Sequence, residues 1–333
     1  MIPDTEICIV GAGLSGLALA TMLRAKGRDL ILLDARDRPG GRVLSQNGYD
    51  LGPSWIWPHN RRMLALLDRL GLRSFEQHTT GRLVFEDATG AIRRDLEFAT
   101  MGGALRVAGG LARVTDALAA ALGDALRLSH PVTHLSEDAT GVTVMAQGQT
   151  IRAGRVILAL PPRLAVQIGA TAPDVPTWMA GHAKLVATYA APFWRTNGFN
   201  GDAISHRGPL AEIHDASPAD AQTGALFGFA HPGAAQSPDF RDAAVAQLAR
   251  LFGPDAGNPT DVIFKDWSAD HATATPADRT PPASHPRYRA IPRTERVIFA
   301  GSETASEDGG FLEGALAAAE AACMNLDSVL GHS

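Results

Sequence analysis

Apolar residues fall in two rhythms along the chain, and the first seventy positions show both. Glu6–Val10 is a short apolar run that opens directly into Gly11-Ala12-Gly13-Leu14-Ser15-Gly16. A helical pattern follows to Lys26, carried by Leu17, Ala20, Met22 and Leu23. Leu30-Ile31-Leu32-Leu33 is then apolar at every position, as in a parallel strand buried on both faces. Asn60 is placed to cap a helix over Arg61–Leu70, which Gly71 would end. From Leu72 to Met101 the pattern weakens to short strand candidates such as Arg82–Phe85. Leu111–Leu122 reads as a helix, and Leu126–Leu128, Val132–Leu135 and Val142–Met145 as strands. Arg155–Leu160 is another buried-strand run, halted by Pro161-Pro162. The stretch from Leu164 to Pro292 is strand-rich, best at Leu185–Tyr189, Ala225–Phe229 and Val262–Trp267, with a helix at Phe240–Phe252. Thr273–Pro292 is proline-rich and should be extended loop. Val297–Ala300 is a last buried strand and Gly310–Leu330 a last long helix. The first strand, Arg155–Leu160 and Val297–Ala300 are expected in one sheet, built from separated pieces of chain.

The glycines at the first turn carry the first chemistry. Gly11 permits the tight turn, Gly13 lets backbone approach a pyrophosphate, and Gly16 lets helix pack on strand. The helix N-terminus, from Leu14 and Ser15 onward, offers N–H donors and a positive dipole end to phosphates. The motif follows a strand and opens a helix, the context that a dinucleotide site needs. Asp34 closes the second strand 18 residues after Gly16, where a carboxylate accepts from ribose hydroxyls. Asp34-Ala35-Arg36-Asp37-Arg38-Pro39-Gly40-Gly41-Arg42 then sets basic residues beside a Gly-Gly pair. Arg42 can offer a guanidinium fork to the pyrophosphate, whereas Arg36 and Arg38 also read as surface charge.

Composition narrows the classes. With 333 residues, 45% of them hydrophobic, more than one folding unit is expected. A formal charge of −5 gives no nucleic-acid footprint. The two cysteines, Cys8 and Cys323, sit in apolar patterns and read as core residues. No apolar run approaches the ~20 residues of a membrane span, and the glycine motif leaves no room for a signal peptide after Met1. The expectation is a soluble, cytoplasmic protein. His59, His214, His231 and His271 are scattered without ligand spacing, so no metal is expected.

Seven motifs, in order along nearly the whole chain, carry a resemblance: GAGLSGL, DARDRPGGR, GYDLGPSWI, the Gly109-Gly110 segment, VILALPP, HAKLVATYAAPFW and FAGSETASEDGGFLEGA. The sequence resembles the flavin-containing amine oxidases, the group of monoamine, polyamine and L-amino-acid oxidases. The resemblance implies an α/β fold, with a Rossmann-like FAD-binding domain of glutathione-reductase/amine-oxidase type and an interleaved, reduced α+β substrate domain. The FAD-binding domain would comprise residues 1–72, 102–163 and 293–333, and the substrate domain 73–101 and 164–292. Cofactor contacts would come from the glycine loop, from Asp34, Ala35, Arg36, Gly40, Gly41 and Arg42, and from Gly52, Pro53, Ser54 and Trp55. Val132 matches a position whose backbone meets the adenine. Glu303, Gly310, Phe311 and Leu312 would lie where a helix N-terminus faces the flavin C2 carbonyl, with Gly301 and Gly310 as spacers.

Lys184, a lone lysine in the apolar strand around His182-Ala183-Lys184-Leu185, matches a lysine that holds a water to flavin N5 and aids oxygen reduction; otherwise it snorkels at a strand end. His182 reads as structural. Trp267 matches a tryptophan near the flavin, or is an ordinary core residue. Ser268–Arg279 lacks the cysteine that tethers FAD in many monoamine oxidases, so FAD should be non-covalent. Phe311 can supply one aromatic wall of a substrate cage, but no Phe, Tyr or Trp between Ser268 and Arg287 supplies the other. Arg73–Met101 replaces a long helical insertion, which trims the substrate domain. The implied reaction is hydride transfer from the carbon beside an amine to flavin N5, then imine hydrolysis and reoxidation by O2 to H2O2. The alternatives are a renalase-like or other flavin oxidase or dehydrogenase acting on a non-amine such as a dihydronicotinamide, and a non-catalytic flavoprotein. Nothing in the sequence fixes the oligomeric state.

Overall fold

The computed structural model describes residues 3–330; the chain ends that the predicted segments 1–72 and 293–333 include lie outside them. Two seven-stranded sheets organise the chain. In the first, Thr5–Val10 pairs in parallel with Leu30–Leu33 on one side and with Gln149–Leu158 on the other. Leu126–Arg127 extends the parallel order past Leu30–Leu33, and Val297–Phe299 pairs with Val156–Leu158. The three separated apolar runs therefore share one sheet, as expected.

Gln149–Leu158 is longer at its start than the predicted Arg155–Leu160 and changes partner along its length. Up to Ala153 it pairs antiparallel with Gly141–Ala146, which pairs in turn with Val132–Asp138; from Val156 onward it takes Val297–Phe299. Its first half hides from an apolar-pattern reading because it carries Arg152. That side chain is buried by pairing with Asp138 and donating to Thr143 Oγ1 at 2.8 Å.

One face of this sheet is covered by the helices Leu14–Ala25, Ala112–Ala120 and Leu312–Leu330, with Arg61–Arg69 beside them. Leu17, Leu19 and Leu23 of the first helix meet Leu316, Ala319 and Leu326 of the last in one core. Each fully buried leucine contributes about 1.5–3 kcal/mol. Cys8 and Cys323 are both buried, and burial pushes the Cys8 thiol up to about 12, so Cys8 is not a thiolate at neutral pH.

The helix at Arg61–Arg69 corrects one expectation. Asn60 does not cap it; its Oδ1 accepts from the Trp57 N–H at 2.8 Å. The orphan N–H groups of Arg62 and Met63 donate instead to the two carboxylate oxygens of Glu313, at 2.9 and 3.1 Å. The cap comes from 250 residues away, which no local motif reveals. Gly71 does end the helix, at φ +63°, with N–H bonds from Gly71 to Asp68 O and from Leu72 to Leu67 O. Glu313→Ala should therefore cost about 1–2 kcal/mol in urea unfolding, and Asn60→Ala less. An equal or larger loss from Asn60→Ala would refute this assignment of the cap.

The second sheet runs Asp261–Asp266, Ala183–Tyr189, Gly224–Ala230, Leu210–Asp215, Phe199–Ser205, Arg82–Glu86, Ile92–Leu96. It is antiparallel except where Phe199–Ser205 meets Arg82–Glu86. The weakly patterned stretch after Leu72 thus supplies its far edge. Helix Phe240–Phe252 packs Phe240, Leu248 and Leu251 on one face. Leu51 joins Val186, Phe227 and Ile263 on the other. Phe199–Ser205 and Leu210–Asp215 escape an apolar-pattern reading because they bury polar residues: Asn200, Asp202, Ser205, His214 and Asp215. Thr273–Pro292 is extended loop apart from the short 3-10 turn Pro276–Asp278.

Candidate active site

A cavity of about 900 Å³ is lined from both sheets. At one end lies the glycine loop. Gly11 has φ +105°, and a Cβ there would sit 2.6 Å from Ala159 O. Gly16 packs the helix on the strand: a Cβ would run into Gly11 O and stand 3.2 Å from Ala159 Cβ. Gly16 does not line the cavity, so it supports the site from behind. Gly13 differs from both. A Cβ there would meet no protein atom closer than Gly40 O at 4.0 Å, and the residue lines the cavity. That open space above a helix N-terminus fits a pyrophosphate. Ala12 O accepts from Gly40 N–H at 2.8 Å, which sets the Gly40-Gly41 turn against the loop. Leu14 and Ser15 also line the cavity, and Ser15 Oγ donates to Ala300 O at the end of the last strand.

The acid and the arginines are more occupied than the sequence suggested. Asp34 lines the cavity, yet it accepts from Ala12 N–H at 2.7 Å and Arg36 N–H at 2.8 Å. It therefore fastens the strand end to the loop with lone pairs to spare for a ribose hydroxyl. Arg36 lies in the wall beside Ala35, but its Nη2 donates to Asp270 Oδ1 at 2.7 Å and Thr273 Oγ1 at 2.6 Å. Lys265 Nζ holds the other Asp270 oxygen at 2.7 Å. Arg36 thus clasps the 270–273 loop and is not surface charge. Arg38 is not surface charge either: it donates to the carbonyls of Pro39, Gly41 and Val43 and holds the turn.

Arg42 lines the cavity with its fork on Glu303, at 2.5 and 3.1 Å. Glu303 is fully buried and off the cavity wall. The structure thus pairs the Arg42 fork with Glu303 behind the wall, Arg42 lining the cavity and Glu303 standing off it. Val132 and His130 line the same end of the cavity as Asp34.

At the other end Gly52, Pro53, Ser54 and Trp55 form a wall, whose start is held through backbone carbonyls by one side chain of the second sheet and one just past its edge strand. Lys184 Nζ donates to Gly52 O at 2.6 Å, and Trp267 Nε1 donates to Leu51 O at 2.8 Å. Lys184 is 5% exposed and does not snorkel. Its ammonium lies over the rings of Phe229 and Phe227, at 5.1 and 5.8 Å. Burial pushes its pKa down to about 8, with the Asp50 carboxylate opposing. Burial likewise raises Asp50 to about 6, against hydrogen bonds from Ser45 and Leu111.

Gly301, Gly310, Phe311 and Leu312 line the cavity where the last helix begins at Leu312. Phe311 stacks on His285 with ring centroids 5.0 Å apart and planes at 7°. His285 meets Trp178 edge-on at 5.1 Å. Trp178, Met179 and His182 line the cavity with Phe311, and sequence reasoning missed this wall. The loop after Trp267 supplies no second aromatic, whereas the loop before Ala183–Tyr189 brings Trp178 to the cavity wall. The signal was a tryptophan six residues ahead of the lone lysine. Glu212, also missed, lines the cavity beside Ala211 and Phe229.

Among the described residues no helix is long and apolar enough to cross a membrane, and no group of three or more His, Cys, Asp or Glu is placed to hold a metal.

Comparison with known proteins agrees with this geometry. A sequence model of the flavin containing amine oxidoreductases matches residues 14–89 and 81–326. The putative flavin-containing monoamine oxidase AofH of Mycobacterium tuberculosis is 26% identical over 440 aligned positions, covering 98% of this chain and 97% of that protein. Those 440 positions exceed the 333 residues here, so AofH carries segments that this chain lacks. Among solved structures, cyclohexylamine oxidase from Brevibacterium oxydans IH-35A superposes with TM-score 0.83 at 20% identity, covering 99% of this chain and 100% of that one. A putrescine oxidase bound to putrescine gives 0.82 at 22%, covering 97% and 99%. These two likenesses show the fold, Rossmann-like at the first sheet. The match over most of the chain shows more: this protein belongs to the flavin-containing amine oxidoreductase family and is an FAD-dependent oxidoreductase.

Proposed function

We propose that the chain oxidises an amine at the carbon beside nitrogen, in the part of the cavity bounded by Lys184, Trp178 and Phe311. The observation that carries this reading is the continuity of one cavity from the Gly13 cradle to that wall. When bound, FAD supplies a two-electron acceptor at N5, imine hydrolysis and transfer of the electrons to O2 completing the cycle. The chain's residues bind and orient. Backbone N–H groups from Gly13 to Ser15 receive the pyrophosphate, and Asp34 receives the ribose. The Arg42–Glu303 pair braces the turn at Gly40-Gly41 against the loop that leads into the last helix. Lys184, fixed on Gly52 O, presents a cation at the reacting end, and Phe311 and Trp178 confine the substrate there. The two sheets are the cores of the two discontinuous domains, 1–72, 102–163 and 293–333 on one side and 73–101 and 164–292 on the other.

The test is anaerobic mixing of the yellow protein with amines and with dihydronicotinamides while the flavin absorbance is followed. Bleaching by an amine is expected. Bleaching by dihydronicotinamides alone would replace this reading with the renalase-like one. Attachment is a separate expectation. Both cysteines are buried, so denaturation in acid should leave all the flavin in the supernatant. Yellow precipitate after exhaustive washing would show a covalent bond.

A further inference from the structure

The aromatic wall at the substrate end is made from two pieces of chain. Trp178 comes from the loop ahead of Ala183–Tyr189, and Phe311 from the turn that starts the last helix. Two residues of the proline-rich loop meet both pieces. His285 stacks on Phe311, lies edge-on to Trp178 and donates from Nε2 to Gly309 O at 2.9 Å, but it is exposed. Tyr288 is 6% exposed and stands behind the wall, off the cavity.

The Tyr288 phenol clasps the first piece. It accepts from the Trp178 N–H at 2.8 Å and donates to Pro176 O at 2.8 Å. Burial pushes its pKa above the usual tyrosine range, so it stays a neutral donor. The ring packs against the second piece. A Cβ at Gly309 would stand 2.8 Å from Tyr288 Cβ, and one at Gly310 would stand 2.9 Å from Tyr288 Cε2 and 3.2 Å from Trp178 Cβ. The turn therefore lies flat on the ring with no room for a side chain between them. Gly310 N–H donates to Ser302 O at 3.1 Å, which fixes the turn from its other side. A second anchor serves the Trp178 loop alone. Asp278 Oδ1 accepts from the Thr177 N–H at 3.0 Å and from Arg163 Nη1 at 2.6 Å, which ties that loop to the short helix Pro162–Gln167.

We propose that Tyr288 is a positioning residue for substrate binding: it holds the Trp178 loop and the turn before Phe311 at one spacing, and so fixes the surface on which the apolar part of the substrate rests. The inference rests on the placement of the substrate in the reading above and adds what sets affinity there. Tyr288 does not line the cavity, so it acts through Trp178 and Phe311. Loosening its clasp should weaken binding in proportion to the apolar body of the ligand, while flavin loading and the chemical step are kept.

The test is Tyr288→Phe in the flavin-loaded enzyme, which keeps the ring on the turn and removes both hydrogen bonds of the hydroxyl. Benzamide, whose carbon beside nitrogen has no hydrogen to lose, is titrated against the flavin absorbance, with acetamide as its small partner. The variant should bind benzamide about tenfold more weakly and acetamide within about twofold of wild type. For amines with a large apolar body KM should rise about tenfold, with kcat within a few-fold. Trp178→Ala should itself weaken benzamide binding, and Tyr288→Phe added to it should cost less than about twofold more, because the phenol acts through the indole. The inference is overturned if benzamide does not bind wild type, or if Tyr288→Phe leaves its affinity unmoved. Equal weakening of both amides, an effect undiminished in the Trp178→Ala background, or loss of flavin from Tyr288→Phe would overturn it too, since the phenol would then hold the fold and not the wall. Benzamide binding is read without turnover, so failure of every amine to reduce the flavin would remove the amine-oxidase reading and leave this test in force.

Discussion

Gly13→Asp should yield a folded, colourless protein. Gly13 sits at φ −72° and ψ −179°, a conformation open to any residue, so the new side chain strains no backbone. It also meets no neighbour, since the closest protein atom to a Cβ is Gly40 O at 4.0 Å. Gly13 is the N-cap of the helix Leu14–Ala25, where an aspartate is among the favoured residues and complements the dipole. The fold should therefore be kept or slightly stabilised while the cradle is filled by carbon and a negative charge. Flavin content should fall from stoichiometric to below about a tenth, on the order of the two or more kcal/mol that a lost charge-assisted contact and a new repulsion together cost. Gly16→Ala is the contrasting variant. Its Cβ would run into Gly11 O, so it should lose flavin together with stability. Flavin content and thermal unfolding measured on both variants separate the two roles. A yellow Gly13→Asp protein with wild-type flavin content would sink the assignment of the cradle.

What could be read before the fold was known follows a physical line. Ile7–Val10, Leu30–Leu33 and Val297–Phe299 are buried on both faces in a parallel sheet, so each is an unbroken apolar run. The glycine loop was equally legible, because a close approach of backbone to phosphate allows few residue types. Phe199–Ser205 and Leu210–Asp215 were not, because their buried positions hold polar groups that satisfy one another across the chain. Asp215, for instance, takes Trp194 Nε1 at 2.8 Å and Arg195 at 2.8 and 2.9 Å. Such strands look like loops until their partners are known. The same holds at the site. Positions of Arg36, Arg42 and Glu303 in the motifs were plain, but their pairing depends on residues as far apart as 36 and 270, or 42 and 303. Glu212 and Trp178 became visible only when strand register and loop packing placed them on the cavity.

Lys184→Met should slow reoxidation by oxygen by roughly a hundredfold, while leaving anaerobic reduction within a few-fold of wild type. A preorganised charge in a dry site acts most on the step that develops negative charge, and electron transfer to oxygen is that step. Electrostatics also fixes the pH dependence. Burial holds Lys184 at about 8, so the cation is present below that pH and lost above it. Wild-type reoxidation should therefore fall as pH rises through about 8, and the variant should show no such inflection. Loss of fold would not mimic this. An unfolded lysine titrates near 10.4, so the unfolded chain binds more protons between about 8 and 10.4, and this group makes the native state more stable as pH rises through that window. At pH 7 the buried charge costs roughly 3 kcal/mol by the same shift, comparable with the roughly 1–3 kcal/mol lost when Gly52 O is left without its donor. The two nearly cancel, and the variant should melt close to wild type. Separate half-reaction rates from pH 6 to 10 decide the matter: equal slowing of both, or a variant that keeps the inflection near 8, would take the cation at Lys184 out of the oxygen step.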